Sequence, residues 1–208
     1  MDKDLILIKA IIDADYQRHI KRFEKQEQNA DILFLGDSML AYAPLKKMGL
    51  THIINQGIPG DTTTGVINRL SYVYQTHPKH VLIHIGSNDL VLTNHTDEEI
   101  ISNIKIIVSS LINKNINVHL LSITPVLEHH PKTNQTYIKN RSNAHINTLN
   151  EVLKTIEGIE TWIDVNHVLK DGSHQLNEHY TTDGIHLNDQ GYEIFLHKIG
   201  EYISIKLN

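Results

Sequence analysis

Apolar positions along the chain follow two different rhythms. Leu5, Ile8, Ile12, Tyr16, Ile20 and Phe23 recur every three or four residues, the spacing that gathers side chains into one stripe of an α-helix. This predicts a helix within the first thirty residues, ending in a polar connector at 24–29. From Ile32 onward the pattern changes to short unbroken apolar runs, at 32–35, 52–55, 81–85, 118–123 and 161–165. Runs of this length suit strands buried on both faces, as in a parallel sheet.

Helical stripes return between most of the runs. Val66, Leu70 and Val73 form one. Ile100, Ile104, Ile107, Val108 and Leu111 form a second, preceded by Thr96 and Glu99 at capping-box spacing, which satisfies free amides at a helix start. Ile138, His145, Leu149, Val152 and Ile156 form a third, and Tyr192, Phe195, Leu196 and Ile199 a fourth. Strands alternating with helices predict a doubly wound α/β domain. In such sheets ligands bind beyond the carboxyl ends of the strands. The loops opening near Gly36, Gln56, Gly86, Thr124 and Asn166 are therefore where function is expected.

Composition narrows the chemistry. The chain of 208 residues is 40% hydrophobic and 21% charged, as an ordinary folded domain is. Its 19 Lys and Arg against 24 Asp and Glu give a net charge of -5, the wrong sign for a dedicated nucleic-acid binder. It has no cysteine, so disulfides, thiolate metal sites and thiol nucleophiles are excluded. No run approaches the length of a membrane span, so stable membrane insertion is not expected. Asp2 and Asp4 occupy what a secretory leader would make basic, and Lys9 interrupts the apolar patch. We expect a cytoplasmic location.

Four loops carry candidate chemistry. Gly36-Asp37-Ser38 ends the first apolar run; a serine there presents both its hydroxyl and a helix-start amide, although Asp and Ser are also ordinary helix caps. Asn55 through Thr63 contains Gly57, Pro59 and Gly60, a tight turn whose glycine amide can approach a ligand closely. Gly86-Ser87-Asn88-Asp89 offers a side-chain amide, a neutral donor suited to an oxyanion, and equally reads as a turn. Asp183-Gly184-Ile185-His186 places a carboxylate and an imidazole on one turn, where the carboxylate fixes the imidazole as a base for a serine.

Taken together and in this order, the four blocks resemble those of the SGNH-hydrolase or GDSL-type esterase superfamily. The resemblance runs from about Ile32 to Tyr192, with Met39 standing where leucine usually follows the serine. It implies Ser38 as nucleophile, His186 as base and Asp183 as its partner. It implies an oxyanion hole of the Ser38 and Gly60 backbone amides and the Asn88 side chain. It also implies a flavodoxin-like three-layer αβα fold around five parallel strands, and neither metal nor other cofactor. Residues 1–30 lie outside it, as a helical extension on a hydrolase domain at 31–208.

The expected activity is serine carboxylic-ester hydrolysis of a small-molecule ester, with short acyl or acetyl groups favoured. A lysophospholipase, a thioesterase, an O-acyltransferase on the same site and a non-catalytic binder are the alternatives. Two segments are candidate walls of the pocket, 126–136, which reads equally as a solvated surface loop, and 170–180. His80, His84 and the His129-His130 pair, among 15 histidines, lack the spacing of a zinc site and are expected to be surface or hydrogen-bonded residues. Whether the chain forms a homo-oligomer is left open.

Overall fold

A computed structural model describes residues 3–26 and 29–202, with side chains from residue 10 onward. Leu5 and Ile8 of the first stripe therefore lie outside the described side chains. The chain opens with α1 (Lys3–Phe23), then β1 (Ile32–Gly36), α2 (Ser38–Ala41), β2 (Ile53–Gly57), α3 (Thr63–Asn68) and α4 (Leu70–Tyr74). It continues through β3 (His80–His84), α5 (Asp89–Leu92), α6 (Asp97–Ile112), β4 (Asn117–Leu121), α7 (Gln135–Ile138) and α8 (Asn143–Leu153). β5 (Thr161–Ile163), α9 (Val165–Val168) and α10 (Asp189–Gly200) complete it.

The five strands form one all-parallel sheet in the order β2-β1-β3-β4-β5. Alternation along each strand splits the interior in two. Leu33, Leu35, Val81, Ile83, Val118 and Leu120 face one side and pack with α6 and α8. Ile32, Phe34, Leu82, Leu121 and Ile163 face the other and pack with α2 and α10. Burial on both faces explains why the strands read as continuous apolar runs. The expected α/β fold, three layers deep, is therefore the observed one.

The helix signals were accurate where a cap or a dense stripe marked them. Thr96 and Glu99 form both hydrogen bonds of the capping box at the start of α6. Two stripes are corrected. The stripe at 66–73 is two helices, broken at Arg69, whose backbone leaves the helical region (φ -120°, ψ 12°). The stripe at 138–156 is also two: Ile138 belongs to the single turn α7, and α8 buries Ile146, Leu149 and Leu153 while Val152 is exposed. Each break holds a buried arginine, Arg69 or Arg141.

Helix α1 docks beside the edge strand β2. Arg22 donates to the Asn55 carbonyl, the Tyr16 hydroxyl donates to the Gly65 carbonyl, and Phe23 is buried against Tyr72 and the Arg69 guanidinium. Among the described residues no helix is long and apolar enough to cross a membrane.

Candidate active site

Ser38 opens α2 directly beyond β1, and is nearly buried. Asp37 caps this helix by accepting from the Met39 amide, so the ordinary capping role is fulfilled by the neighbour and the Ser38 hydroxyl is left for other work. The Ser38 amide is the first of the helix, where no intrahelical acceptor exists. From the far end of the chain, His186 brings Nε2 to 3.0 Å from Ser38 Oγ, and its Nδ1 lies 2.7 Å from Asp183 Oδ2.

The Asp183 turn is held rigidly. Its Oδ1 accepts from the amides of Ile185 and His186 at 3.0 and 2.8 Å. Gly184 sits at φ +88°, and a Cβ there would fall 2.6 Å from Thr133 Oγ1, so this turn requires glycine. Burial raises the Asp183 carboxyl, but the hydrogen bond and charge of His186 and the two amides outweigh it and hold the group at about 2. An ionised Asp183 at neutral pH keeps the proton on Nδ1 and leaves Nε2 as the acceptor for the serine hydroxyl. The Tyr42 and Tyr137 rings flank the imidazole edge-on at 5.5 and 6.4 Å.

The second and third loops are tied together by buried polar groups. Asp89 accepts from the Thr63 amide and, at 2.5 Å, from its hydroxyl; burial raises this carboxyl against the pull of those bonds. Asn88 Nδ2 donates to the Asp61 carbonyl at 2.9 Å, which uses one of its two hydrogens. The Asp61 side chain pairs with Arg69 at 2.8 Å, and Arg69 also donates to the Gly36 carbonyl, joining the first loop to the second. Burial pushes the Asp61 carboxyl up to about 6 even beside that guanidinium. Gly60 sits at φ +78°, and a Cβ there would meet the Ile12 side chain at 2.7 Å. The positive φ and the close pass of α1 both demand glycine.

These groups share one cleft of about 350 Å³, at the small end of the range for ligand sites. Ser38, Gly60, Asn88 and His186 line it, with Asp183 behind the imidazole. Five residues expected from the sequence to act together thus come together. The walls are not the two candidate segments. They come from Ile11, Ile12, Asp15 and Arg18 of α1, from Val91 and Leu92, and from Tyr137 and Arg141. The segments 126–136 and 170–180 buttress the base turn instead: Leu127 donates to the Gly184 carbonyl, Asn134 to the Asp183 carbonyl and Asn188 to the Tyr180 carbonyl. Asn166 lies elsewhere too, bonded to the Ile123 carbonyl.

Three of the histidines singled out in the sequence have partners away from the nucleophile. His80 meets His119 at 3.0 Å, His84 meets Asp37 at 3.1 Å, and His130 meets Glu178 at 3.0 Å. Arg141 had no signal in the sequence, being one cation in a polar stretch before a helix.

Comparison with known proteins agrees with this architecture. A model of the GDSL-like lipase/acylhydrolase family matches residues 34–194, and the chain belongs to that family. The platelet-activating factor acetylhydrolase IB subunit alpha2 of Rattus norvegicus is 30% identical over 182 residues, covering 80% of this chain and 73% of the relative. The N-acylneuraminate cytidylyltransferase of Escherichia coli is 29% identical over 184 residues, 84% of this chain. The match covers 40% of that longer relative. A Streptococcus pneumonia structure, described provisionally as a platelet activating factor, superposes with a TM-score of 0.84 at 26% identity, over 96% of this chain and 97% of its own.

Proposed function

We propose that the chain is a serine carboxylic-ester hydrolase that removes short acyl groups, acetyl foremost, through an acyl-enzyme on Ser38. The observation that carries this reading is the continuous hydrogen-bonded relay from Asp183 through His186 to the Ser38 hydroxyl, opening on a cleft. His186 Nε2 takes the hydroxyl proton as Ser38 Oγ bonds to the ester carbonyl carbon. The carbonyl oxygen becomes an oxyanion, accepting from the Ser38 and Gly60 amides and the second hydrogen of Asn88 Nδ2. The imidazolium then returns its proton to the leaving alcohol as the C–O bond breaks. Water repeats the sequence on the acyl-enzyme, releasing the acid and restoring the serine.

Two features favour a short acyl group. The cleft is small, and the side chain of Ile12 fills the space that a Cβ on Gly60 would take, beside the proposed oxyanion donor. The similarity to a platelet-activating factor acetylhydrolase subunit points the same way. A panel of p-nitrophenyl esters from acetate to palmitate, with acetylated sugars and a lysophospholipid alongside, tests the reading. The expected result is turnover highest on acetyl or other short esters and lost in Ser38→Ala. Equal hydrolysis by Ser38→Ala, or no hydrolysis of any ester by the unmodified chain, overturns it.

A further inference from the structure

Two arginines are almost fully buried in this domain, and their surroundings differ. Arg69 is paired with the Asp61 carboxylate at 2.8 Å. Arg141, 6% exposed, donates to neutral acceptors and meets no carboxylate among the described residues. Its Nε donates to the Ser87 carbonyl and hydroxyl, both at 3.0 Å. Nη1 donates to the Tyr137 carbonyl, and Nη2 donates to Asn88 Oδ1 at 2.7 Å. A buried cation without a contacting carboxylate is costly, and it borders the cleft where negative charge develops in the proposed reaction.

We propose that Arg141 is a positioning residue for the oxyanion donor Asn88, acting through the amide oxygen, with its charge complementing the oxyanion. The inference rests on the ester-hydrolase reading for its catalytic half, but its geometric half does not. Guanidinium has no acceptor. A contact between Nη2 and the Asn88 amide therefore fixes which end is oxygen. With Oδ1 held by Arg141 and Nδ2 bound to the Asp61 carbonyl, the amide is gripped at both ends. A flip would put the amide nitrogen against the guanidinium and the oxygen against a carbonyl, losing both bonds. One Nδ2 hydrogen is then left in a single fixed direction. A charge-assisted bond onto Oδ1 also draws electron density from the amide and strengthens Nδ2–H as a donor.

The charge persists through the neutral range. Burial lowers the Arg141 guanidinium, the more distant Asp37 raises it, and the balance stands at about 10. In the ground state the cation's direct contacts among the described residues are neutral dipoles, with the Asp37 carboxylate farther off. In the tetrahedral intermediate it gains an anion one amide away, so the interaction grows along the reaction coordinate and lowers the barrier rather than tightening substrate binding. The break between α7 and α8 is what allows this. An uninterrupted helix over 138–156 would not have released the loop from which Arg141 turns inward to meet Ser87 and Asn88.

The test is a double-mutant cycle of Arg141→Met and Asn88→Ala, followed with p-nitrophenyl acetate, with Arg141→Lys as a charge-retaining control. Arg141→Met is expected to lower kcat about 100-fold with KM changed less than about threefold, the pattern of a lost oxyanion donor. Arg141→Lys keeps the charge without the planar fork and is expected to recover about tenfold of that loss. In the Asn88→Ala background Arg141→Met is expected to cost less than about threefold more, because the two act as one unit. Multiplicative losses, unchanged kcat, or a rise in KM alone overturn the proposal. If Arg141→Met does not fold, Arg141→Lys carries the same cycle.

A readout independent of turnover separates this proposal from the reading beneath it. The Asn88 side-chain amide resonances, assigned by their loss in Asn88→Ala, are expected to shift in Arg141→Lys by NMR. If the unmodified chain hydrolyses no ester yet those resonances move, the hydrolase reading and the catalytic half fail while the positioning stands. If hydrolysis is robust and the resonances stay fixed, the positioning fails alone.

Discussion

Two aspartate–histidine pairs meet the short helix that carries Ser38, and their contact distances are similar. Asp183 and His186 lie 2.7 Å apart, with about a quarter of each side chain exposed, and the second imidazole nitrogen is 3.0 Å from Ser38 Oγ. Asp37 and His84 lie 3.1 Å apart, both fully buried, and the second nitrogen of His84 has no partner among the described residues. The His84 ring packs edge-on against Phe195 in the core. In the proposed reading, a carboxylate beside an imidazole does not by itself make a base. The far nitrogen must also reach a nucleophile at a cleft. Asp37 and His84 instead join the N-cap of α2 to the end of β3, and so hold the first loop in place.

Substitutions separate the two pairs on different axes. The largest expected effect is on turnover in His186→Ala, a fall in kcat of about 10⁵-fold with the folding midpoint nearly unchanged, since the ring is not a core element. Asp183→Asn follows, with kcat lower by about 10³–10⁴-fold, because an amide facing Nδ1 stabilises the wrong tautomer. Its Oδ1 can still accept from the Ile185 and His186 amides, so the turn is expected to persist. His84→Ala reverses the pattern: kcat per folded molecule stays within about tenfold, while chemical denaturation shows a loss of about 2–4 kcal/mol from the cavity and from a buried Asp37 carboxylate left with the Met39 amide but without its imidazole partner. A large kcat loss in His84→Ala without destabilisation would erase the distinction.

The smallest effect concerns acid. Asp183 is held at about 2 in the folded chain against an ordinary value of 3.8. A carboxylate depressed by folding contributes stability in full above its unfolded value and loses it as pH falls through the folded one. The stability gap between the unmodified chain and Asp183→Asn is therefore expected to narrow between about pH 4 and pH 2. Denaturant titrations across that range check it, and a constant gap would mean that the carboxylate's charge does not matter to the fold.

Much of this arrangement was legible in the residues alone. The strands were readable because both faces of the sheet are buried, so period and burial gave one signal. Three loops were readable because each pairs a strand end with an uncommon local combination of glycine and polar residues, and the fourth because an aspartate and a histidine stand three apart across a glycine. What was not legible lies at the buried arginines. Apolar periodicity runs through Val66, Leu70 and Val73 whether or not the helix breaks between them, and it cannot register that Arg69 turns inward to Asp61. It likewise joined Ile138 to His145 across Arg141 and took Val152 for core in place of Ile146. A polar residue in a polar stretch reads as surface by default; only the three-dimensional partner, Asp61 or Asn88, says otherwise. The same holds for α1. Its stripe was visible, but not that Ile12 would meet Gly60, because a contact between residues 48 apart has no local signature.

The central claim is that the exposed pair, and not the buried one, activates Ser38. Stoichiometric labelling with a serine-reactive fluorophosphonate, located by mass spectrometry of the digested protein, tests it most directly. We expect one adduct per chain, on Ser38, formed at a rate that collapses in His186→Ala and is retained in folded His84→Ala. Labelling at another residue, or a Ser38 rate indifferent to His186 and dependent on His84, would contradict it.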